Sequence, residues 1–147
     1  MDPDQLAKAC AETMYASDRA SSALGMEIVE VTVGRAVMAM TVRDDMVNGH
    51  DLCHGGLIFS LADSAFAFAC NSHNLNAVAA GARVEFLAPA RLGDRLTAVA
   101  RQLSQGGRTG VYDVVVSNQQ NKTVALFRGN SHRIGGTLVD ESTGEPV

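Results

Sequence analysis

GGLIFSLADSAFAFACNSH, residues 55–73, is the stretch that decides how this chain folds. Its apolar side chains recur at the three-to-four spacing of one broad helical stripe, formed by Leu57, Ile58, Leu61, Ala62, Ala65, Phe66 and Ala69. The other positions are largely apolar too, which is typical of a helix buried on nearly every side. About 19 residues at about 1.5 Å each give a length of about 28 Å. Asp63 near the middle indicates a core helix rather than a membrane span.

Segments with the patterns of strands and turns surround this helix on both sides. Residues 25–42 alternate and are interrupted at Gly34, which predicts a hairpin. The remaining patterns predict one further helix at 4–16 and four strands, at 77–90, 93–105, 109–118 and 122–134. The order α-β-β-α-β-β-β-β predicts an α+β fold in which a mostly antiparallel, six-stranded sheet curls around the central helix. We expect a single domain at 1–136 and a flexible C-terminal tail at 137–147.

Composition limits the classes of protein to which the chain can belong. Its net charge of −4 argues against a general nucleic-acid binder, because such proteins usually present a broad basic patch. Three cysteines without a CxxC pair favour a reducing compartment over a disulfide framework. The first residues are acidic and carry no continuous apolar region, so no secretory signal is expected. No apolar window is long enough to predict a membrane span. We expect a soluble, cytoplasmic protein.

NGHDLCHGG, residues 48–56, concentrates possible ligands and nucleophiles directly before the central helix. His50, Cys53 and His54 raise the question of a zinc site. Structural zinc commonly takes four ligands from two separated pairs, and the second pair is missing unless folding brings His73 and His132 to the loop. Histidines bonded to the loop backbone explain the pattern better, and we expect no metal.

A nucleophilic cysteine is a second interpretation of this stretch. Cys53 stands beside His54 near a helix start, where the pKa of a thiol is lowered. Sequence neighbours rarely point at one another, however, and no third orienting group is evident. A small packed cysteine is the simpler interpretation.

The third interpretation uses the backbone. Gly55 opens a helix whose first N–H groups have no partner within the helix and lie at the positive end of its dipole. Such groups can hold an oxygen that becomes negative during acyl transfer. Many loops enter helices through glycine, so the pair Gly55-Gly56 is a weak signal by itself.

Asp63 is the second unusual feature, because a carboxylate is rarely buried without a partner. It either pairs with Arg83 or another cation, or it is a catalytic carboxylate with a raised pKa. Eight residues separate it from Gly55, so the two lie about 12 Å apart along one helix. Two such helices packed antiparallel across a two-fold axis would bring Asp63 of one chain to Gly55 of the other. The open edges of a six-stranded sheet also favour a dimer.

Four segments of the chain resemble hot-dog-fold acyl-CoA thioesterases, and most of all the thioesterases of phenylacetic acid degradation, which act on aryl-acetyl-CoA esters. These segments are NGHDLCHGG (48–56), SLADSAFAFACNS (60–72), VEFLAPARLGDRLTA (84–98) and TGVYDVVVSNQQNKTVALFRGNSHRIGG (109–136). The resemblance implies the hot-dog fold, a homodimer that shares one continuous sheet and its active sites, and a homotetramer of two such dimers. No cofactor is implied, since coenzyme A arrives as part of the substrate.

The resemblance also implies roles for individual residues. Asp63 of one subunit would be the nucleophile or general base, and the Gly55 N–H of the other would polarise the thioester carbonyl. Asn48 and His54 would position the thioester or the attacking water. Cations for the CoA phosphates and a wall for the acyl pocket are weaker assignments, to Arg83, Arg108, Lys122, Arg128, Arg133 and Phe66.

The sequence therefore predicts hydrolysis of phenylacetyl-CoA or hydroxyphenylacetyl-CoA to the free acid and CoA. A hot-dog enoyl-CoA hydratase or dehydratase is one alternative, since His54 and Asp63 supply the residue types for that chemistry. A module that binds acyl-CoA without cleaving it is another. The preferred acyl group, the choice between nucleophile and base for Asp63, and the packing of dimers stay open at this point.

Overall fold

The computed structural model describes all 147 residues and contains one six-stranded antiparallel sheet with a central helix. The helices are α1 (Pro3–Ser17), α2 (Arg19–Ala23) and α3 (Gly55–Cys70). The strands are β1 (Glu27–Thr32), β2 (Arg35–Thr41), β3 (Ala77–Phe86), β4 (Arg95–Gly106), β5 (Thr109–Ser117) and β6 (Thr123–Arg133). They are ordered β1-β2-β4-β5-β6-β3, so that β1 and β3 form the two edges. The predicted α+β architecture is confirmed.

Helix α3 packs against all six strands, and its side chains fill the core enclosed by the sheet. It ends at Cys70, three residues before the predicted end at His73. Asn71 explains this end, because its side-chain amide donates to the carbonyls of Ala67 and Ala77 and accepts from the Ala77 N–H. This side chain fastens the end of the helix to the start of β3.

The N-terminal region forms two helices where the sequence predicted one. Helix α1 begins at a capping box in which Asp2 and Gln5 exchange hydrogen bonds. The predicted helix covered residues 4–16 only, yet residues 19–23 form α2. Asp18 caps this short helix by accepting hydrogen bonds from the Ser21 N–H and hydroxyl. Asp18 therefore serves both helices, because its backbone N–H donates to the Tyr15 carbonyl at the end of α1 and its carboxylate caps the start of α2.

The strands match the predicted segments, and their bounds differ most between β3 and β4. Strand β3 ends at Phe86 rather than at residue 90, and β4 begins at Arg95 rather than at residue 93. Residues 87–94 form the connection, where the Asp94 carboxylate accepts from the Arg91 N–H and Gly93 takes a positive φ of 87°. Strand β3 pairs only with β6, and most of its residues are exposed. It is a long edge with unused backbone hydrogen-bonding groups.

The C-terminal segment follows a defined path beside the first helix. Asn74 is fully buried; its side chain accepts from the N–H groups of Leu138 and Val139 and donates to the Val139 carbonyl. Val139 itself is buried. The structure does not test the predicted flexibility of residues 137–147, which stays a prediction. No helix in the chain combines the length and apolar character needed to cross a membrane.

Candidate active site

The start of α3 presents free backbone donors. The N–H groups of Gly55 and Gly56 donate to no acceptor in the chain, and the side chain of His54, which precedes them, does not cap the helix. His54 is exposed, while its carbonyl accepts from Leu57 and Ile58. Because the helix dipole adds positive potential here, the site is suited to an oxygen that carries negative charge.

The loop before α3 is shaped by Asn48. Its side-chain carbonyl accepts hydrogen bonds from the N–H groups of His50, at 2.9 Å, and Leu52, at 3.2 Å. These bonds hold a tight turn in which Asp51 takes a positive φ of 58°. The side-chain NH₂ of Asn48 has no partner within the chain, so it is available to a ligand. The side-chain oxygen of Asn48 therefore stabilises the loop, while its NH₂ group stays free to donate to a ligand.

Asn48 and Gly55 line the same cavity, with a volume of about 470 Å³. The rest of its wall is mainly apolar and comes from the end of β3 and the connection that follows, including Phe86, Leu87 and Pro89. The Phe86 ring lies directly against Gly55, since a Cβ added at that glycine would be 2.9 Å from Phe86 Cζ. The Gly55 N–H, the Asn48 amide and the Phe86 ring thus lie at one mainly apolar cavity.

Asp63 lies in a different cavity, of about 290 Å³, which is formed by α2 and the middle of α3. Its carboxylate is half-buried, and burial raises its pKa above the ordinary aspartate value. It has no hydrogen bond or ion pair within the chain. The proposed pairing with Arg83 is wrong, because Arg83 lies on the exposed edge strand and binds Glu85 at 2.7 Å. A half-buried carboxylate without a partner is typical of a functional group.

The structure does not support the zinc and cysteine interpretations of the loop. No group of three or more His, Cys, Asp or Glu side chains converges anywhere in the chain. His73 instead bonds the Gln102 side chain at 2.6 Å. Cys53 is buried, and burial raises the pKa of its thiol, which is the opposite of what a nucleophile requires.

The five candidate cations for the CoA phosphates are dispersed, and two already have carboxylate partners. Arg83 binds Glu85, and Arg128 forms a bidentate pair with Asp113 at 2.6 and 2.9 Å. The Arg128 guanidinium lowers the pKa of the Asp113 carboxyl. The two arginines face each other across β3 and β6 and line one groove on the sheet. Their charges are largely neutralised at short range.

The other three cations have no carboxylate partner in the chain. Arg133 donates to the carbonyl of Gly107 at 3.0 Å, and its N–H donates to the carbonyl of Arg108. Arg108 and Lys122 lie on exposed turns. The structure therefore brings Arg108 and Arg133 together and leaves Lys122 apart.

Phe66 lies in the core of the chain and lines neither of the two cavities, and its assignment to the acyl pocket stays a prediction. Its ring is almost completely buried and contacts Tyr112 and Phe127, with centroid distances of 5.7 and 5.8 Å. Phe86 is instead the aromatic residue in the cavity of Gly55, and the sequence motifs assigned it no role. Its position in VEFLAPA, where a strand ends before proline, was the available signal.

The arrangement of a curled sheet, a central helix with free N-terminal donors and a half-buried carboxylate defines a class of protein. Residues 50–125 match the family model of the Thioesterase superfamily, and the chain belongs to this family. The hot-dog fold expected from the sequence motifs is confirmed.

The chain is also similar to one characterised member in particular. It is 55% identical over 132 residues to the acyl-coenzyme A thioesterase PaaI of Escherichia coli strain K12, which covers 90% of this chain and 94% of that protein. The solved structure of E. coli PaaI, from the phenylacetic acid degradation operon, superposes with a TM-score of 0.90 at 54% identity, covering 91% of this chain and 97% of that one.

A further solved relative shows a ligand. A hypothetical thioesterase of Streptococcus pneumoniae, determined with coenzyme A, is 26% identical with a TM-score of 0.78, and covers 86% of this chain and 97% of that one. The resemblance to acyl-CoA thioesterases that the sequence motifs indicated is thereby confirmed.

Proposed function

We propose that this protein is an acyl-CoA thioesterase that hydrolyses aryl-acetyl-CoA esters, such as phenylacetyl-CoA or hydroxyphenylacetyl-CoA, to the free acid and CoA. The observation that carries the proposal is the presence on one helix of free N–H donors at Gly55 and an unpaired, half-buried carboxylate at Asp63. Thioester hydrolysis needs both, since one stabilises the developing oxyanion and the other activates the attacking group. The substrate class is supported by the similarity to PaaI.

Each site requires two subunits in this proposal. Gly55 and Asp63 are about 12 Å apart along α3, too far to act on one carbonyl carbon. Strand β3 offers the means of association, since it is an exposed edge of ten residues with small side chains over much of its length. Pairing of two β3 strands would join the sheets and set the two α3 helices side by side. Exposed Val115 and Leu126 on the sheet support a further association into a homotetramer.

The reaction begins with the thioester carbonyl accepting a hydrogen bond from the Gly55 N–H. In the general-base route, the Asp63 carboxylate takes a proton from water while the water oxygen bonds to the carbonyl carbon. The C–S bond then breaks, and the CoA sulfur leaves as a thiolate that is protonated to the thiol. In the nucleophilic route, a carboxylate oxygen of Asp63 bonds to the carbonyl carbon, the C–S bond breaks and releases the CoA thiolate, and water then hydrolyses the resulting anhydride. The free NH₂ of Asn48 and the exposed His54 ring position the ester or the water.

The test is thiol release from a panel of acyl-CoA esters, with Asp63→Asn as the decisive variant. We expect kcat to fall at least about 10³-fold while the oligomer stays intact, because the base or nucleophile is lost. Asp44→Asn is the matched control, since Asp44 is exposed and makes no side-chain hydrogen bond. Near-normal turnover by Asp63→Asn would contradict the proposal. Hydration of enoyl-CoA without thiol release would favour a hydratase, and binding without either reaction a non-catalytic module.

A single turnover in ¹⁸O-water separates the two routes. Label in the Asp63 carboxylate requires a covalent anhydride that water opens at the aspartyl carbonyl, whereas a general-base route places label only in the product acid. Mass spectrometry of the peptide that contains Asp63 reads the difference.

No metal or organic cofactor takes part in this proposal. We expect a chelator to leave the rate unchanged, and loss of activity that zinc restores would contradict this. A cytoplasmic location also remains part of the proposal and is supported by three buried cysteines that form no disulfide.

A further inference from the structure

We propose that Phe86 is the residue that selects an aryl acyl group, with its ring forming the wall of the acyl pocket beside the Gly55 N–H. This inference rests on the proposed function, since it assumes that a thioester carbonyl binds at Gly55. Phe86 is then the residue that distinguishes an aromatic from an aliphatic acyl group.

The contact between Phe86 and Gly55 is close and involves the tip of the ring. A Cβ built on Gly55 would lie 2.9 Å from Cζ, 3.2 Å from Cε1 and 3.3 Å from Cε2 of Phe86. These are the three atoms of the ring edge farthest from the backbone. An acyl group whose carbonyl oxygen accepts from the Gly55 N–H therefore begins within van der Waals reach of the ring.

The exposure of Phe86 sets it apart from the other phenylalanines. The chain contains five, and Phe86 alone is more exposed than buried, at 52%. It is the last residue of edge strand β3, so within one chain only β6 flanks it. A large apolar ring left open beside a cavity gains stability when it covers, or is covered by, an apolar ligand.

The chemistry of the cavity fits an uncharged acyl group rather than the phosphates of CoA. Its volume of about 470 Å³ is in the range of small-molecule sites, and none of its lining residues is charged. The polar groups are those of Asn48 and Gly55, which lie where the carbonyl would bind, while Leu52, Leu87 and Pro89 supply apolar wall. Aromatic rings attract one another edge-to-face or in offset stacks beyond the effect of buried area. Phe86 therefore favours a phenyl ring over a saturated ring of similar size.

The experiment compares phenylacetyl-CoA with cyclohexylacetyl-CoA, which has a similar shape but no π system. We expect the ratio of their kcat/KM values to fall about 3- to 10-fold in Phe86→Leu, as the ring–ring attraction is lost. Phe86→Tyr keeps the ring and should keep the ratio. Leu92→Ala is the control, since Leu92 is also exposed in the connection after β3 but does not line the cavity.

The outcomes separate this inference from the function on which it depends. If the wild type releases no thiol from any acyl-CoA ester, the proposed function fails. If the wild type is active and Phe86→Leu leaves the ratio unchanged, only the Phe86 inference is overturned. An equal fall for both esters also overturns it, because the ring would then support the loop or contact the pantetheine arm common to both. If Phe86→Leu does not fold, an altered ratio in Phe86→Tyr overturns it as well.

Discussion

Gly55 and Asp63 belong to the same helix but open into two different cavities. Gly55 lines a mainly apolar cavity that is formed by the loop before α3 and the end of β3. Asp63 lines a second cavity, between α2 and the middle of α3. Neither cavity alone contains both an oxyanion donor and a carboxylate. This separation is the strongest argument from a single chain that a complete site takes one half from each of two subunits.

Subunit mixing tests the shared site. Asp63→Asn and Gly55→Ala each damage both sites of their own homodimer, but a heterodimer of the two has one intact Gly55 facing one intact Asp63. We expect an equal mixture, unfolded and refolded together, to recover about a quarter of wild-type activity, because half of the dimers then have one working site of two. The measurement is thiol release before and after refolding.

Two controls accompany this mixing experiment. Each variant refolded alone should keep its own low residual rate, and mixing without unfolding should recover activity only as fast as subunits exchange. If the refolded mixture shows only the average of the two variants, each site lies within one chain.

The contact between Gly55 and Phe86 predicts the effect of adding one methyl group. In Gly55→Ala, the new Cβ would lie 2.9 Å from Phe86 Cζ, so the ring or the helix start must move. We expect kcat to fall on the order of 10²-fold, since misplacing an oxyanion donor by about 1 Å has that effect. Steady-state kinetics with phenylacetyl-CoA measures it.

The neighbouring glycine supplies the matched control for this prediction. A Cβ at Gly56 meets nothing within 4 Å, so Gly56→Ala adds the same methyl group to the same helical turn without a collision. We expect its turnover to stay near wild type. Equal losses of turnover in the two variants would show that any methyl group at the helix start impairs catalysis, whether or not it contacts Phe86.

The raised pKa of Asp63 predicts opposite effects of pH on activity and stability. The base must be ionised, so kcat/KM should rise with pH through a value above the ordinary aspartate pKa of 3.8. In the folded chain, the protonated carboxyl is favoured by burial. Its contribution to stability is complete below the unfolded pKa and is lost as pH rises through the folded pKa.

Asp63→Asn should therefore be more stable than the wild type at neutral pH, and its advantage should shrink as the pH falls toward the unfolded pKa. Urea unfolding of both proteins between about pH 4 and pH 7 measures this difference in unfolding free energy. An advantage that grows in acid would mean that the carboxylate gains a partner in the assembled protein.

Much of the fold follows from patterns that a sequence displays directly. The all-round apolar character of α3 predicts a central helix, and alternation in the strands predicts a sheet that encloses it. The glycine pair that opens the helix suggested the proposed donor at Gly55, and the apolar surroundings of Asp63 suggested the proposed carboxylate. These features are local, so neighbouring residues are enough to reveal them.

The errors fall where burial depends on distant parts of the chain. Phe66 and Phe86 both stand in apolar sequence, but Phe66 packs on Gly129 of β6 while Phe86 projects from an edge strand over Gly55. Arg83 lies on that same edge strand, which keeps it away from Asp63. Helix α2 was missed because its five residues are too few to show a helical period, and its buried Ser21 instead contacts the distant Ser64 of α3, with 2.8 Å between the hydroxyl oxygens.

The different positions of the two phenylalanines lead to opposite predictions for stability and specificity. The Phe66 ring fills space against Gly129, where an added Cβ would be 2.7 Å from its Cζ. Phe66→Ala should cost about 3–5 kcal/mol of unfolding free energy because it leaves a cavity in the core. Phe86→Ala should cost much less, since that ring is half-exposed. Urea unfolding measures both, and the ratio of kcat/KM for phenylacetyl-CoA and cyclohexylacetyl-CoA should change only in Phe86→Ala. A stable Phe66→Ala protein with an altered kcat/KM ratio would instead show that Phe66 lines the acyl pocket.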